Sequence, residues 1–347
     1  MDSLSQIALG ASVSVAAMGS RAPLGRVVLW GAIAGTLPDL DAFIDYGDAV
    51  LNMTRHRAES HSLLYVTLAA PLLAWLVSRI HREPHLFGRW CLALWAALFT
   101  HPILDWFTVY GTQLFQPFTD RPYGLGSIFI IDPLFTLPLL FGLFAAALFR
   151  SPAGRMRANA IGLALALFYL GGSAVTQYHV TTVARKALPD EARGQAHRLL
   201  VTPSPFNTVL WRLVLVTEER YYEGWYSLLD REGAAPVWRG YDRGAGVISR
   251  HGAIDGAARI AAFSHGFFSM DERDGRVYVT DLRMGQEPFY TFRFDVGAGE
   301  GHAAIARLER SRPPVDRALP WLWARMLGDS SADSQTFTVG GRSPSLR

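Results

Sequence analysis

The chain has 347 residues, 50% of them hydrophobic and 18% charged, with a formal net charge of +3. That charge is too small, and too much a matter of loop arginines, to argue for a nucleic-acid partner. The single cysteine, Cys91, excludes an intrachain disulfide. These averages hide a division near residue 180: long apolar runs and short polar loops precede it, and mixed polar and apolar sequence follows.

Two short apolar segments come first, Leu4 to Met18 and Val27 to Leu37; the second covers only about half of a hydrocarbon core at ~1.5 Å per residue and reads as re-entrant or as a short span. Gly10, Gly31 and Gly35 allow this pair to pack closely against each other or their neighbours. Four longer runs follow. Ser62 to Ser78 and Ala158 to Tyr178 carry no charge, Arg121 to Arg150 encloses only Asp132, and Trp90 to Phe107 is apolar apart from His101 and Asp105. Each approaches or exceeds the roughly 20 residues that cross a bilayer. A cleavable signal peptide is the competing reading of the start, but the first residues carry Asp2 and no positive charge, contrary to that pattern.

Arg21 and Arg26, then Arg79, Arg82 and Arg89, then Arg150, Arg155 and Arg157 fall in alternate loops, which the distribution of positive charge places inside. The N-terminus, the loops 38–60 and 108–127 and everything after residue 180 are then extracytoplasmic. The expected architecture is a polytopic α-helical membrane domain (1–180), a connecting segment (181–200) with Pro189, and a β-rich (α+β) soluble domain (201–347). In the last part, 209–217, 221–229, 276–283 and 289–296 read as strands, with Asp274-Gly275 preceding the third and antiparallel pairing of the last two. Helices are expected at 257–269 and 316–327. The histidines of this half, His197, His251, His265 and His302, stand alone, and no catalytic spacing is visible there.

With this topology Asp2, Asp39, Asp41, His56, His61, His101, Asp105 and Asp132 return to one side, a mixture of carboxylates and imidazoles that suits a hard or borderline divalent ion. His101 and Asp105 are four apart on one helix face, close enough to chelate one ion. A membrane helix raises the cost of a merely capped pair. Leu37-Pro-Asp-Leu-Asp41 stands where a short helix ends, so Asp39 and Asp41 can face different partners. In Arg55-His-Arg-Ala-Glu-Ser-His61 the imidazoles His56 and His61 are candidate ligands. Arg55 and Arg57 suit an anionic substrate or, equally, lipid head groups. Asp132 is a ligand, a partner that orients a histidine, or a general base. Asp2 is a ligand or a helix cap. His81 and His85 have the same i, i+4 spacing but fall on the inner side among arginines and read as a loop.

In order and spacing, MDSLSQIALGA, GTLPDLD, HRAESHS, HPILDWF and IDPLF resemble the membrane-bound metal-dependent hydrolases of the YdjM-like type, over roughly residues 1 to 180. That family is itself similar, through a His-x-x-x-Asp pair with further Asp and His ligands, to the zinc-dependent phospholipase C and single-strand nuclease group. The resemblance places His101 and Asp105 on the pair and implies Asp39 and His61 as further ligands. The chain departs from that group in lacking a second His-x-x-x-Glu pair, which leaves the number of metals open.

The function expected is a metal-dependent hydrolase in a bacterial inner membrane, multi-pass, with its site and C-terminal domain on the extracytoplasmic side. One or more divalent ions, zinc first, would activate water, Asp41 or Asp132 would take the proton, and Arg55 or Arg57 would meet an anionic oxygen. A site at the lipid–water boundary favours a phospholipid or lipid-linked phosphate ester; an amide or acyl ester fits the same chemistry. Two other classes fit part of the pattern. A scaffold tied by a structural metal would have a closed ligand sphere. An ion transporter needs polar groups through the full depth, whereas the inner halves read Leu, Ala, Phe and Val.

Overall fold

Asp2 starts the first helix: its carboxylate accepts from the backbone N–H groups of Leu4 and Ser5, each at 3.1 Å, and caps α1 (Ser3–Met18). The computed structural model describes residues 1–297, 305–309 and 314–334. They divide into two units, one formed by 1–44, 55–175 and 205–207, the other by 45–54, 176–204 and 208 onward.

In the first unit α1 packs along α2 (Leu24–Thr36) through glycines. A Cβ on Gly10 would stand 2.4 Å from the Gly31 carbonyl oxygen, and one on Gly35 would stand 2.5 Å from that of Gln6, so only glycine allows this approach. Pro38 ends α2, and a 3₁₀ turn, Pro38–Phe43, follows. The chain then enters the second unit for Asp45–Thr54, which includes most of α3 (Ala49–Arg55), and returns for a second 3₁₀ turn, Glu59–His61. Ser62 caps α4 (Leu63–Ile80), and α5 (Phe87–Trp106) packs back on α1, α2 and α4 around buried Trp90, Leu94, Ala97 and Val77. Asp132 caps α6 (Pro133–Leu148), and α7 (Pro152–Lys186) runs about 50 Å at ~1.5 Å per residue before Pro189.

Among the described residues, α4 and α7 are the helices long and apolar enough to cross a membrane; α1, α2 and α6 are apolar but shorter. At the far ends of the helices from the acidic residues, Trp30 Nε1 donates to His81 Nε2 at 2.8 Å, Trp90 stacks on the same ring, and Arg26 pairs with Glu83 at 2.9 Å. His81 is thus a joint between helices, not half of a metal pair with His85.

The second unit is β-rich. Strands β1 (Arg198–Pro203), β2 (Leu210–Val216), β3 (Arg220–Ser227) and β4 (Arg239–Asp242) form an antiparallel meander in that order. After α8 (Ala245–His251) and α9 (Asp255–Phe263) come β5 (Phe268–Arg273), β6 (Arg276–Asp281), the short ribbon β7 (Gly285–Gln286) and β8 (Phe289–Tyr290), β9 (Arg293–Gly297) and β10 (Arg307–Glu309). The second sheet has the order β10-β9-β6-β5. β2 is buried throughout, and its one charge, Arg212, pairs with buried Glu223, which also accepts from Tyr290 Oη at 2.6 Å. Amphipathic α10 (Val315–Met326) docks through Trp321 against Trp225 and through Arg325, 2.6 Å from Asp230.

Three of the four expected strands are present as β2, β3 and β6; the fourth, 289–296, is broken into β8, which pairs with β7, and β9, which lies antiparallel to β6, while α10 falls where its helix is expected. The helix expected over 257–269 ends at Phe263, because His265 (φ 54°) and Gly266 (φ 83°) turn the chain left-handed, and the following residues form β5. The Asp274-Gly275 turn therefore closes a β5–β6 hairpin. α7 continues into the segment read as a connection, and β1 begins inside it. His302 lies outside the described residues.

Candidate metal centre

The start of α1, the end of α2, the start of α4 and the end of α5 meet, and there Asp39, His61, His101 and Asp105 bring one ligand atom each within 4.8 Å of one another. His61, His101 and Asp105 are fully buried, whereas Asp39 is partly open. His61 Nε2 stands 3.0 Å from His101 Nε2; Asp39 Oδ1 is 3.4 Å from each, and Asp105 Oδ2 is 3.2 and 3.4 Å from them.

Hydrogen bonding fixes both imidazoles. His101 Nδ1 is 2.7 Å from the Gly35 carbonyl oxygen and must donate to it. Ser60 Oγ donates to Asp41 Oδ2 at 2.5 Å and so accepts from His61 Nδ1 at 2.8 Å. Each Nδ1 therefore carries its proton, and in the neutral rings the two Nε2 lone pairs face each other between two carboxylates. Asp105 Oδ2, buried, has no aligned hydrogen-bond donor. Only a cation or an extra proton reconciles four such atoms at this spacing. The donor set, two imidazoles and two carboxylates with the far nitrogens held by oxygen acceptors, fits zinc and its neighbours.

The same environment governs titration. Burial alone would lower the His61 pKa, but Asp105, Asp39 and Asp41 outweigh it and push the ring up to about 9. Burial would likewise raise Asp39 and Asp41; the neighbouring His101 and His61 imidazoles hold Asp39, and those of His56 and His61 hold Asp41, well below the ordinary carboxylate range.

Asp41, His56 and Asp39 form an adjoining three-membered group, with Asp39 common to both. Asp41 Oδ1 accepts from His56 Nδ1 at 2.7 Å and Oδ2 accepts from the Arg57 backbone N–H at 2.9 Å. Arg57 adopts φ 64°, a strained value for a residue with a side chain, and its surroundings hold it there. Its carbonyl accepts from Gln113 N–H at 2.9 Å, and its guanidinium lies over the Tyr110 ring, donates to Thr108 Oγ1 at 3.1 Å and reaches Asp105 Oδ1 at 3.3 Å. That oxygen also accepts from Gln6 Nε2 at 3.1 Å and from the Met1 amino group.

The other expected site residues are placed differently. Arg55 is exposed and pairs with Glu59 at 3.1 Å on the surface. Asp2 spends its oxygens on the first turn of α1, including Ser5 Oγ at 2.5 Å, and Asp132 accepts from Leu134 N–H at 3.0 Å and Tyr169 Oη at 2.8 Å. Neither belongs to the ligand groups. Sequence reasoning missed Ser60 and the Gly35 carbonyl; their only signal was adjacency, Ser60 beside His61 and Gly35 just before the Pro-Asp-Leu-Asp turn.

The family model described as YdjM inner membrane protein matches residues 1–180, more than half of the chain and every residue of the centre. The chain belongs to the YdjM inner membrane protein family. An inner-membrane location follows for this YdjM-family chain. It is also similar to "Uncharacterized protein YfhP" of Bacillus subtilis (strain 168), at 23% identity over 238 residues, which are 67% of this chain and 70% of the relative. No solved structure matches it.

Proposed function

We propose that this YdjM-family protein is a polytopic inner-membrane hydrolase whose divalent ion, zinc first, is held by Asp39, His61, His101 and Asp105. The observation that carries the reading is the approach of two Nε2 atoms to 3.0 Å while both Nδ1 protons are committed elsewhere. A bound ion supplies Lewis acidity to a scissile group and makes a water acidic near neutrality.

The protein's own residues divide the remaining work. Asp41, unlike Asp132, shares a group with the ligand Asp39. Held as a carboxylate, it fixes the His56 Nδ1–H tautomer so that the other ring nitrogen receives the proton. Arg57, whose buried Nε has no hydrogen-bond partner, faces an anionic oxygen of the substrate. Leu40 and Phe43, exposed on the same turn as Asp39 and Asp41, favour a substrate with an apolar tail, a phospholipid or lipid-linked phosphate ester. Leu68, Leu72 and Trp75 on α4 and Phe141, Phe144 and Leu148 on α6 are exposed, as lipid-facing surfaces are, which supports several spans in place of two.

Full burial of three ligands favours a second reading, a scaffold tied by a structural metal. Elemental mass spectrometry of detergent-purified wild type, His101→Ala and Asp105→Ala tests the centre, and phosphate release from phosphate-ester lipid vesicles separates the readings. Stoichiometric metal lost in both variants, with turnover that a chelator stops, supports the hydrolase. Metal without turnover on any ester or amide lipid supports the scaffold, and folded wild type that takes up no metal overturns both.

A further inference from the structure

The centre's ligands come from a loop that leaves its own unit. Asp39 and Asp41 precede Ile44, and His56, Arg57, Ser60 and His61 follow Thr54, but the intervening Asp45–Thr54 belongs to the β-rich unit. Asp48 fixes it there. Asp48 Oδ1 accepts from Leu51 N–H at 2.9 Å and caps the first turn of α3, and Oδ2 accepts from Ala306 N–H at 2.7 Å. Ala49 N–H in turn donates to the Ala306 carbonyl at 3.1 Å, so both polar backbone groups of Ala306 are engaged by two consecutive residues. Val50 is fully buried within this unit beside Gly256, which packs on Val296. Within the segment, Asp45 accepts from Asn52 Nδ2 at 2.9 Å and Asn52 accepts from Tyr46 N–H at 2.7 Å.

A chain fixed at its middle has little freedom left at its ends. Asp41 lies seven residues before Asp48, and His56 lies two residues after Thr54. Were this segment slack, closing the cluster would require ordering of the whole stretch between Asp41 and His56, with an entropy cost that rises with each residue freed. Anchored, much of that ordering is already done before the ligands meet.

We infer that Asp48 is a positioning residue of the metal centre: the β-rich unit holds, through Asp48 and Ala306, the loop whose two ends deliver the ligands, so metal binding and ordering of residues 45–54 are coupled. This rests on the metal reading above and assigns the β-rich unit a role in it. Coupling of this kind is reciprocal.

The test uses the full chain in detergent, with Zn²⁺ as the probe, its affinity read by competition with a chromophoric chelator and its effect on backbone amides by hydrogen exchange. Asp48→Ser keeps a capping hydroxyl but is too short to reach Ala306, whereas Asp48→Asn keeps one oxygen for it. In wild type, Zn²⁺ is expected to slow exchange at residues 49–54 and 305–306 and leave β2 unchanged. Asp48→Ser is expected to lose that protection and bind Zn²⁺ about tenfold more weakly, with partial recovery in Asp48→Asn. Equal Zn²⁺ affinity in wild type and Asp48→Ser, or Zn²⁺ binding that leaves residues 305–306 unaffected, overturns the inference alone. Should Asp48→Ser fail to fold, the wild-type exchange pattern decides by itself. Wild type that binds no Zn²⁺ overturns the metal reading and the inference together.

Discussion

His61 and His101 point their Nε2 atoms at each other across 3.0 Å, and each donates its Nδ1–H to an oxygen acceptor. On the metal reading proposed above, this pair makes the centre a place where a proton and a metal ion compete.

The competition gives stability a pH dependence. His61 has its folded pKa raised from 6.5 to about 9, so in chelator-treated protein its contribution is fully present below about pH 6.5 and is lost as pH rises through about 9. The melting temperature of metal-free protein should fall across that window, and resupplied Zn²⁺ should reduce the fall, since binding strengthens as the proton leaves. A metal-free melting temperature that stays flat from pH 6 to 9.5 would remove the protonated-cluster account.

Ser60 relays Asp41 to His61, so Ser60→Ala should misorient a ligand without removing one. The expected loss is about 10- to 100-fold in metal affinity, with the fold retained. Chelator competition measures it, and an affinity equal to wild type would mean that Asp41 reaches His61 Nδ1, now 3.5 Å away, unaided.

Gly35→Ala drives a methyl group into the Gln6 carbonyl oxygen, 2.5 Å from where its Cβ would lie. Because backbone meets backbone, α1 and α2 must separate, at a cost of ~1–3 kcal/mol, and the carbonyl that holds His101 moves with α2. Gly171→Ala, with nothing within 4 Å, is the control. Lower thermal stability and metal content are expected in the first variant and wild-type values in the second; identical behaviour of the two would contradict the close packing.

Glu223→Ala leaves the Arg212 guanidinium and the Tyr290 hydroxyl without their buried acceptor. Breaking such a pair from one side costs about 3–5 kcal/mol, whereas Asp255→Ala, which frees only exposed Arg259, should cost ~0–1 kcal/mol. Denaturant unfolding followed by Trp fluorescence compares them, and similar midpoints would show that the Arg212 pair contributes little.

The grouping of Asp39, His61, His101 and Asp105 was legible because helix periodicity and Pro mark the boundaries beside them: Asp39 after Pro38, His61 before the α4 run, and His101 and Asp105 four apart near the end of α5. Arg57 was legible as a cation but not as the strained residue that reaches Asp105, since its position depends on Thr108 and Tyr110, some fifty residues away. Asp2 and Asp132 were read on the ligands' side, yet first-turn N–H groups take one oxygen of each and the hydroxyls of Ser5 and Tyr169 take the other, a competition that residue type alone does not resolve. Helix α3 falls inside the segment read as the loop 38–60, because nothing in its composition shows that it pairs with Ala306. β1 was hidden for a similar reason: its charged flank read as a linker, and only pairing with β2 makes it a strand.

Asp48 and Ala306 are separated by 258 positions, and that separation bears on biogenesis. All four ligands are synthesised within the first third of the chain, but the residue that secures their loop emerges near the end. On the inference above, a chain interrupted before Ala306 owns a complete set of ligand side chains but lacks the contact that anchors their loop, and so binds Zn²⁺ more weakly than the finished chain.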